Sequence, residues 1–258
     1  MKWPFVISVP HCSARVPEFI RPALALSDPE IVESIDTGTA EIFGALPAQH
    51  VVCAQWTRLV ADLNRGPGER GRNGVIPEKD YSGRRVYAEL PPLDGARFQN
   101  RLREYYWPYH DRLERMVNQG EIRGLFDCHS LNAVAPVEAP DAGKRRKDIV
   151  LGNNGGAHGE AAPGLWRTTC PSEGVEIIKQ VLVAEGFSVD INFPYAGGFI
   201  TRHYGTRLMA RDQFAVQIEI NQALFMDEEH NKMVPDRIKW VRKKMARCME
   251  AIAGIRFF

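Results

Sequence analysis

Four polar side chains lie at or near the ends of runs that the sequence predicts to be buried strands. His11 follows the first such run, Asp127 and His129 lie in a later one, and Glu219 lies in the last. Residues two apart in a strand face the same side, so Asp127 and His129 are expected to project together. A carboxylate beside an imidazole is typical of a metal-ligating histidine oriented by an acid, and also of a histidine that is satisfied inside a core.

Glu219 alternates with the apolar residues of its predicted strand. It therefore faces either solvent or a polar cleft. Central parallel strands are usually covered on both faces, and a buried carboxylate without a partner costs several kcal/mol. Within a cleft this residue needs a polar partner or a catalytic role, such as that of a general base beside a metal-activated water.

Arg65 and Arg202 are the candidates for anion recognition. Arg65 lies just beyond a short apolar run, and its forked guanidinium suits a bidentate grip on a carboxylate. Arg202 follows a pair of glycines, which permit a tight turn or a close approach to a ligand. Taken singly, each arginine also has the pattern of an ordinary surface residue.

The five cysteines are odd in number and show no Cys-x-x-Cys spacing, which argues against a disulfide framework or a structural zinc site. Cys12 and Cys128 each adjoin a histidine. Neighbours in a strand face opposite sides, however, so His129 is not expected to activate Cys128. We interpret the cysteines as reduced and mostly buried thiols.

Short β-rich runs alternate with amphipathic helical patterns along the chain. The strand patterns cover residues 5–9, 124–129, 148–151, 187–191 and 214–220, and the helical patterns cover residues 29–46, 92–118 with a break near Pro108, 172–185 and 236–252. Residues 64–83 are predicted to form a long polar loop. The alternation predicts an α/β fold, a single three-layer domain over residues 1–258 with a central, mostly parallel but mixed sheet.

The charge of the chain is balanced. Its 258 residues include 33 Lys and Arg against 32 Asp and Glu, for a formal net charge of +1. No strong field draws such a protein to a polyanion, so no nucleic-acid partner is expected, and the basic run at residues 144–147 is interpreted as a solvated loop. No apolar run approaches the roughly 18 residues of a membrane span, so no membrane partner is expected and a cytoplasmic protein is predicted.

Six strings of residues resemble, in order, those of the N-formylglutamate amidohydrolase family. They are Ser-Val-Pro-His at 8–11, Val-Ala-Asp-Leu-Asn-Arg at 60–65, Tyr-Trp-Pro-Tyr-His at 106–110, Phe-Asp-Cys-His-Ser at 126–130, Gly-Gly-Phe-Ile-Thr-Arg-His-Tyr-Gly at 197–205 and Val-Gln-Ile-Glu-Ile-Asn at 216–221. That family is similar in turn to the zinc carboxypeptidase and aspartoacylase group. The resemblance implies a zinc-exopeptidase-like fold of the phosphorylase type and a metal-dependent hydrolase that cleaves the amide bond of a small N-acyl amino acid, plausibly N-formyl-L-glutamate.

The same resemblance implies a role for each candidate residue. Zinc, or another divalent metal such as cobalt or manganese, would be held by His11, Asp36 and His129; the substrate would be held by Asn64, Arg65, Arg202 and Ser130; and Glu219 and Asp127 would serve catalysis. The protein is expected to be a monomer or a small homo-oligomer.

Three positions depart from the related patterns. Ala14 stands where the carboxypeptidase-like group has an acidic ligand, so Asp36, near the start of the first long predicted helix, is predicted as the third ligand. Gly38 and Ala40 stand where many members of the formylglutamate family have Asp and His. These departures keep two alternatives open: a zinc peptidase or another N-acyl amino-acid hydrolase, and a metal-free module that binds a small ligand.

Overall fold

A six-stranded sheet crosses the centre of the computed structural model, which describes residues 2–89, 95–161, 163–164, 167–227 and 232–257. Its strands are β1 (Trp3–Val9), β2 (Ala48–Cys53), β3 (Gly124–Leu131), β4 (Ile149–Gly152), β5 (Val189–Ile191) and β6 (Phe214–Asn221). They lie in the order β2-β1-β3-β6-β4-β5. Every neighbouring pair is parallel except β4 and β6, which are antiparallel. The prediction of a mostly parallel, mixed sheet is confirmed.

Helices cover both faces of this sheet. They are α1 (Asp28–Glu33), α2 (Thr39–Phe43), α3 (Gly95–Tyr105), α4 (Trp107–Val117), α5 (Ser172–Ala184), α6 (Phe199–Met209) and α7 (Pro235–Ala253). A small hairpin of β7 (Met226–Asp227) and β8 (Lys232–Met233) precedes α7. Among the described residues, no helix combines the length and the apolar character that crossing a bilayer requires.

The two faces of the sheet bury separate apolar cores. On one face, alternate strand residues such as Phe126 pack with residues of α2, α5 and α7. On the other face, residues such as Leu125 pack with α3, α4 and α6. Successive side chains of a strand point to opposite faces, so the alternation seen in the sequence becomes three layers.

The helix predicted over residues 29–46 is wrong as a single element. The structure has α1 and α2 instead, separated by a turn that contains Asp36. A single helix cannot run through this stretch, because Gly38, directly before α2, has a φ of 84°, in the left-handed region. The backbone N–H of Asp36 donates to the carbonyl oxygen of His11 at 3.0 Å. The turn is thereby tied to the segment that follows β1.

Two further sequence interpretations differ from the structure. The sequence pattern indicates no helix after the glycine pair, yet α6 begins there and carries Arg202. The basic run at residues 144–147 predicts a solvated Arg146, but its side chain is buried in an ion pair with Asp141 at 2.7 Å. In the other helices the prediction holds: the break near Pro108 lies at the start of α4, which begins at Trp107, and α5 and α7 match their patterns. Residues 92–94 of the pattern over 92–118 lie outside the described residues.

His110 on α4 anchors the polar loop against the helical layer. Its Nε2 donates to the carbonyl oxygen of Leu63 at 3.0 Å, and its Nδ1 lies 3.0 Å from the hydroxyl of Tyr204 on α6. Because the carbonyl can only accept, Nε2 carries the proton of a neutral ring and Nδ1 accepts from Tyr204. Burial lowers the pKa of His110 to about 4.

This histidine makes the stability depend on pH. Its folded pKa of about 4 lies below the ordinary value of 6.5, so the unfolded chain binds more protons between these pH values. The free energy of unfolding is therefore expected to fall as the pH drops from about 6.5 to about 4, by about 3 kcal/mol in all. Urea titrations across this window should show a flatter pH dependence for His110→Gln, with the exposed His158→Gln as control. Parallel curves for the wild type and His110→Gln would contradict the assignment.

Candidate active site

The candidate residues meet at the carboxyl ends of the central strands. β3 and β6 are parallel neighbours, and His129 pairs with Glu219 in their register. His11 follows the end of β1 beside them. Ligands of open α/β sheets bind at this edge, so the topology alone brings three of the predicted residues together.

His11, Asp36 and His129 form one buried cluster. Asp36 Oδ2 lies 3.3 Å from Nδ1 of His11 and 2.7 Å from Nδ1 of His129, and the centroids of the two rings are 4.9 Å apart. Each residue offers one ligand atom, and these atoms lie within 4.8 Å of one another. Two imidazoles and a carboxylate are ligands that zinc accepts, so the residues present fit a divalent metal.

An acid lies behind each of the two imidazoles. Nε2 of His11 is 2.8 Å from Oδ1 of Asp62, and Nε2 of His129 is 3.2 Å from Oδ2 of Asp127. A proton on Nε2 would be held by these carboxylates, which leaves both Nδ1 atoms to face Asp36. This is the carboxylate–histidine arrangement that orients the ligands of metal sites, and it supports the fit.

Buried charges of opposite sign stabilise the cluster. Burial alone would raise the pKa of Asp36, but His11 and His129 outweigh it and hold that pKa well below its usual range. Burial likewise opposes ionisation of Asp62, yet Arg58 at 2.6 Å keeps the pKa of this acid well below its usual value. Arg58 also lies 3.5 Å from Asp36. Both acids therefore remain carboxylates at neutral pH.

Glu219 has the partner that its strand position required. Its Oε1 accepts a hydrogen bond from Nε2 of Gln217 at 2.9 Å, and the Oε1 of Gln217 accepts from the backbone N–H of Gly198 at 2.7 Å. Burial raises the pKa of Glu219 to about 7. A carboxyl group with a pKa near neutrality is suited to accept and return a proton.

A cavity of about 380 Å³ opens above the cluster. The predicted residues that line it are His11, Asp36, Asn64, Arg65, His129, Ser130, Arg202 and Glu219. Asp127 does not line the cavity: it is fully buried, and its Oδ2 lies 3.2 Å from Nε2 of His129. Ser130 donates to the carbonyl oxygen of Thr37 at 2.9 Å, which ties the cavity wall to the Asp36 turn.

The arginines of the cavity fall into two groups. Arg58 and Arg146 form ion pairs with aspartates. Arg65 and Arg202 make no ion pair within the described part of the chain: Arg65 donates to the hydroxyl of Tyr81 at 3.2 Å, and Arg202 donates to the carbonyl oxygen of Gly197 at 3.1 Å. Burial lowers the pKa of Arg202, as expected for a cation without a carboxylate partner. These two guanidinium groups are available to an anionic ligand.

Sequence reasoning missed Arg58, Asp62 and Gln217 as parts of the site. Asp62 lies within a string that resembles the family, and Gln217 lies two residues before Glu219 on the same strand face, so both had a usable signal. The burial of Arg58 depends on contacts between distant segments, so the sequence near it carried no usable signal.

Gly38 and Ala40 do not line the cavity. A Cβ atom at Gly38 would collide with the ring of Phe225. Neither position contributes a side chain to the cavity wall of this chain.

The fold is that of an α/β amidohydrolase. It matches the crystal structure of N-formylglutamate amidohydrolase from Ralstonia eutropha JMP134 with a TM-score of 0.75 and 21% identity, covering 98% of this chain and 94% of that one. The model of the family N-formylglutamate amidohydrolase matches residues 3–226, and the chain belongs to this family.

Two curated relatives are similar over most of their length. The N-formylglutamate deformylase of Pseudomonas aeruginosa is 29% identical over 240 residues, covering 88% of this chain and 83% of the relative. The N-formylglutamate deformylase of Pseudomonas putida is 27% identical over 237 residues, covering 87% and 82%. The resemblance seen in the sequence is thus confirmed at the level of the family.

Proposed function

We propose that the protein hydrolyses the amide bond of an N-acyl amino acid, with N-formyl-L-glutamate as the substrate and formate and glutamate as the products. The observation that carries the proposal is the convergence of His11, Asp36 and His129 beside Glu219, in a cavity lined by two arginines that form no ion pair among the residues the structure describes. The names of the curated relatives support the choice of substrate.

A divalent metal, zinc by the chemistry of the donors, would be held by His11, Asp36 and His129. When bound, it supplies a Lewis acid that polarises the amide carbonyl and lowers the pKa of water toward about 7. Asp62 and Asp127 orient the two imidazoles from behind.

Glu219 moves the proton in this proposal. Its Oε1 is engaged by Gln217, which leaves Oε2 to take the proton of the attacking water. As the water oxygen bonds to the carbonyl carbon and the C–N bond breaks, the same carboxyl group returns the proton to the leaving nitrogen. A single group serves as base and then as acid, which its pKa of about 7 permits.

Arg65 and Arg202 would bind the two carboxylates of an acylated glutamate. A carboxylate held by a guanidinium is a charge-assisted, often bidentate contact, and two guanidinium groups that form no ion pair with the described residues match a dicarboxylate. Asn64 is fixed beside them, because its Oδ1 accepts from the backbone N–H of Ile200 at 2.8 Å. Its Nδ2 lies 3.1 Å from Nε2 of His129 and is placed to contact the substrate.

The proposal is tested with the metal-loaded protein and a panel of N-acyl amino acids and dipeptides. N-formyl-L-glutamate is expected to have the highest kcat/KM. N-formyl-L-glutamine should fall by about 10–100-fold, since one charge-assisted contact contributes about 1.5–3 kcal/mol. Arg202→Met should reduce this preference, whereas Arg207→Met, an exposed arginine on the same helix paired with Glu114, should retain it.

Two outcomes would contradict the proposal at different levels. A dipeptide or a longer N-acyl substrate turned over faster than N-formyl-L-glutamate would overturn the substrate and favour the rival hydrolase. No turnover of any member of the panel by a protein with a full metal content would overturn the activity itself.

A further inference from the structure

The long polar loop ends in a turn that holds Tyr81 in the wall of the cavity. The N–H of Gly83 donates to the carbonyl oxygen of Asp80 at 3.0 Å, which closes a β-turn with Tyr81 at its second position. The carboxylate of Asp80 accepts from the N–H groups of Ser82 at 3.0 Å and of Arg84 at 2.8 Å. Tyr81 is therefore an exposed residue on a turn whose backbone is fixed by hydrogen bonds.

The ring of Tyr81 lies against Arg58. The guanidinium carbon of Arg58 is 4.9 Å from the centroid of the ring, which is a cation–π distance. The same guanidinium pairs with Asp62 at 2.6 Å and lies 3.5 Å from Asp36. The ring thus covers part of this buried ion pair, and the contact fixes the side chain of Tyr81 in the cavity wall.

The hydroxyl of Tyr81 has a proton to offer to a ligand. Nη2 of Arg65 donates to its oxygen at 3.2 Å, and a guanidinium has no acceptor for the phenol proton. Within the described ranges of the chain, this hydroxyl makes no other hydrogen bond. Arg65 and Tyr81 therefore present two neighbouring donors, one charged and one neutral, to the cavity that both residues line. A carboxylate has two oxygens that can accept such donors.

Tyr195 also lines the cavity, but its arginine partner differs. The oxygen of Tyr195 accepts from Nη2 of Arg146 at 3.2 Å, and Arg146 also donates to both carboxylate oxygens of Asp141, at 2.7 and 2.8 Å. Asp141 compensates the charge of that guanidinium, whereas Arg65 forms no ion pair among the described residues. The pair of Arg65 and Tyr81 is thus the better match for an anion.

We propose that Tyr81 binds the substrate, with its hydroxyl donating to the carboxylate that Arg65 holds. This inference deepens the proposed function and rests on it for the identity of the ligand, an acylated glutamate. The carboxylates of that ligand do not change during hydrolysis of the amide. The contact therefore stabilises the bound substrate and the transition state equally, and its loss should appear in KM rather than in kcat.

The test replaces Tyr81 with phenylalanine, which removes the hydroxyl alone and retains the ring over Arg58. For the metal-loaded full chain, KM for N-formyl-L-glutamate should rise about 10-fold while kcat stays within about twofold, as expected for one hydrogen bond to a charged group. The dissociation constant for L-glutamate, measured by calorimetry, should rise by a similar factor. Tyr105→Phe, a change in a tyrosine that packs on Trp56 outside the cavity, is the control and should keep the wild-type values.

A double substitution separates direct binding from support of Arg65. In the background of Arg65→Met, Tyr81→Phe should still lower kcat/KM several-fold, because the hydroxyl contacts the substrate itself. If Tyr81→Phe caused no further loss in this background, Tyr81 would act only by positioning Arg65, and the inference would be overturned.

The outcomes also separate this inference from the proposed function. An unchanged KM and an unchanged affinity for L-glutamate in Tyr81→Phe would overturn the inference and leave the deformylation intact. If the wild type hydrolyses no acyl amino acid, the proposed function fails and the affinity for L-glutamate still decides: weaker binding by Tyr81→Phe supports the inference, and no binding by the wild type overturns it. Circular dichroism checks the fold of each variant, and Tyr81→Leu, which also lacks the hydroxyl, replaces Tyr81→Phe if that variant is unfolded.

Discussion

Replacing Glu219 with glutamine is expected to lower kcat for N-formyl-L-glutamate by about 10²–10⁴-fold while the zinc content stays at the wild-type level. Glutamine retains the size of the side chain and a carbonyl oxygen that can accept the hydrogen bond from Gln217, so the cavity should keep its shape. It cannot take a proton from water. The loss should therefore appear in kcat far more than in KM.

The control for this change is Glu114→Gln. Glu114 is an acid of the same type, paired with Arg207 on the surface, and its loss should leave turnover near the wild-type rate. Metal analysis of both variants checks that the site is loaded. Near-native turnover by Glu219→Gln with full zinc would remove Glu219 from the mechanism, and loss of zinc from this variant would move it into the metal site.

Replacing Asp36 with alanine should abolish activity when zinc is sub-stoichiometric. It should also weaken zinc binding more than replacement of Asp62 or Asp127, the acids behind the two histidines. Loss of an outer partner, as in Asp62→Asn, typically costs about 10–100-fold in metal affinity, and loss of a direct ligand should exceed this. Chelator competition measures both affinities. The exposed Asp28→Asn, at the start of α1, is the control and should bind zinc like the wild type.

This comparison identifies the third ligand. If Asp62→Asn lost zinc more completely than Asp36→Ala, the ligand would be Asp62, and Asp36 would be the orienting acid. Asp36→Asn serves as the conservative variant if the alanine change unfolds the turn, because asparagine keeps the size of the side chain. Circular dichroism of each variant shows whether the fold is retained.

The sequence was sufficient wherever a local pattern decided the structure. The period of two in β3 placed Asp127 and His129 on one face and Cys128 on the other, which the burial of Cys128 in the opposite core confirms. Parallel strands that end at one edge then brought Glu219 beside His129. These inferences needed only strand geometry.

The failures share another cause, since long-range contacts decided them. The helical pattern over residues 29–46 hid the turn at Gly38, where the φ of 84° and the nearby ring of Phe225 leave no room for a side chain. Arg146 looked solvated within its basic run, but Asp141 and Tyr195 hold it in the cavity wall. No local pattern shows which charged residue will find a buried partner.

The helix α7 has a consequence for how the chain can be shortened. It lies beyond residues 3–226, the stretch that the family pattern covers, and contributes no side chain to the cavity. Yet it packs against α2, and Ile238 at its start lies with Phe225 beneath Gly38. A fragment truncated before Pro235 would retain every group assigned to binding or chemistry. It would lose Ile238, which packs beneath Gly38 in the turn that presents Asp36.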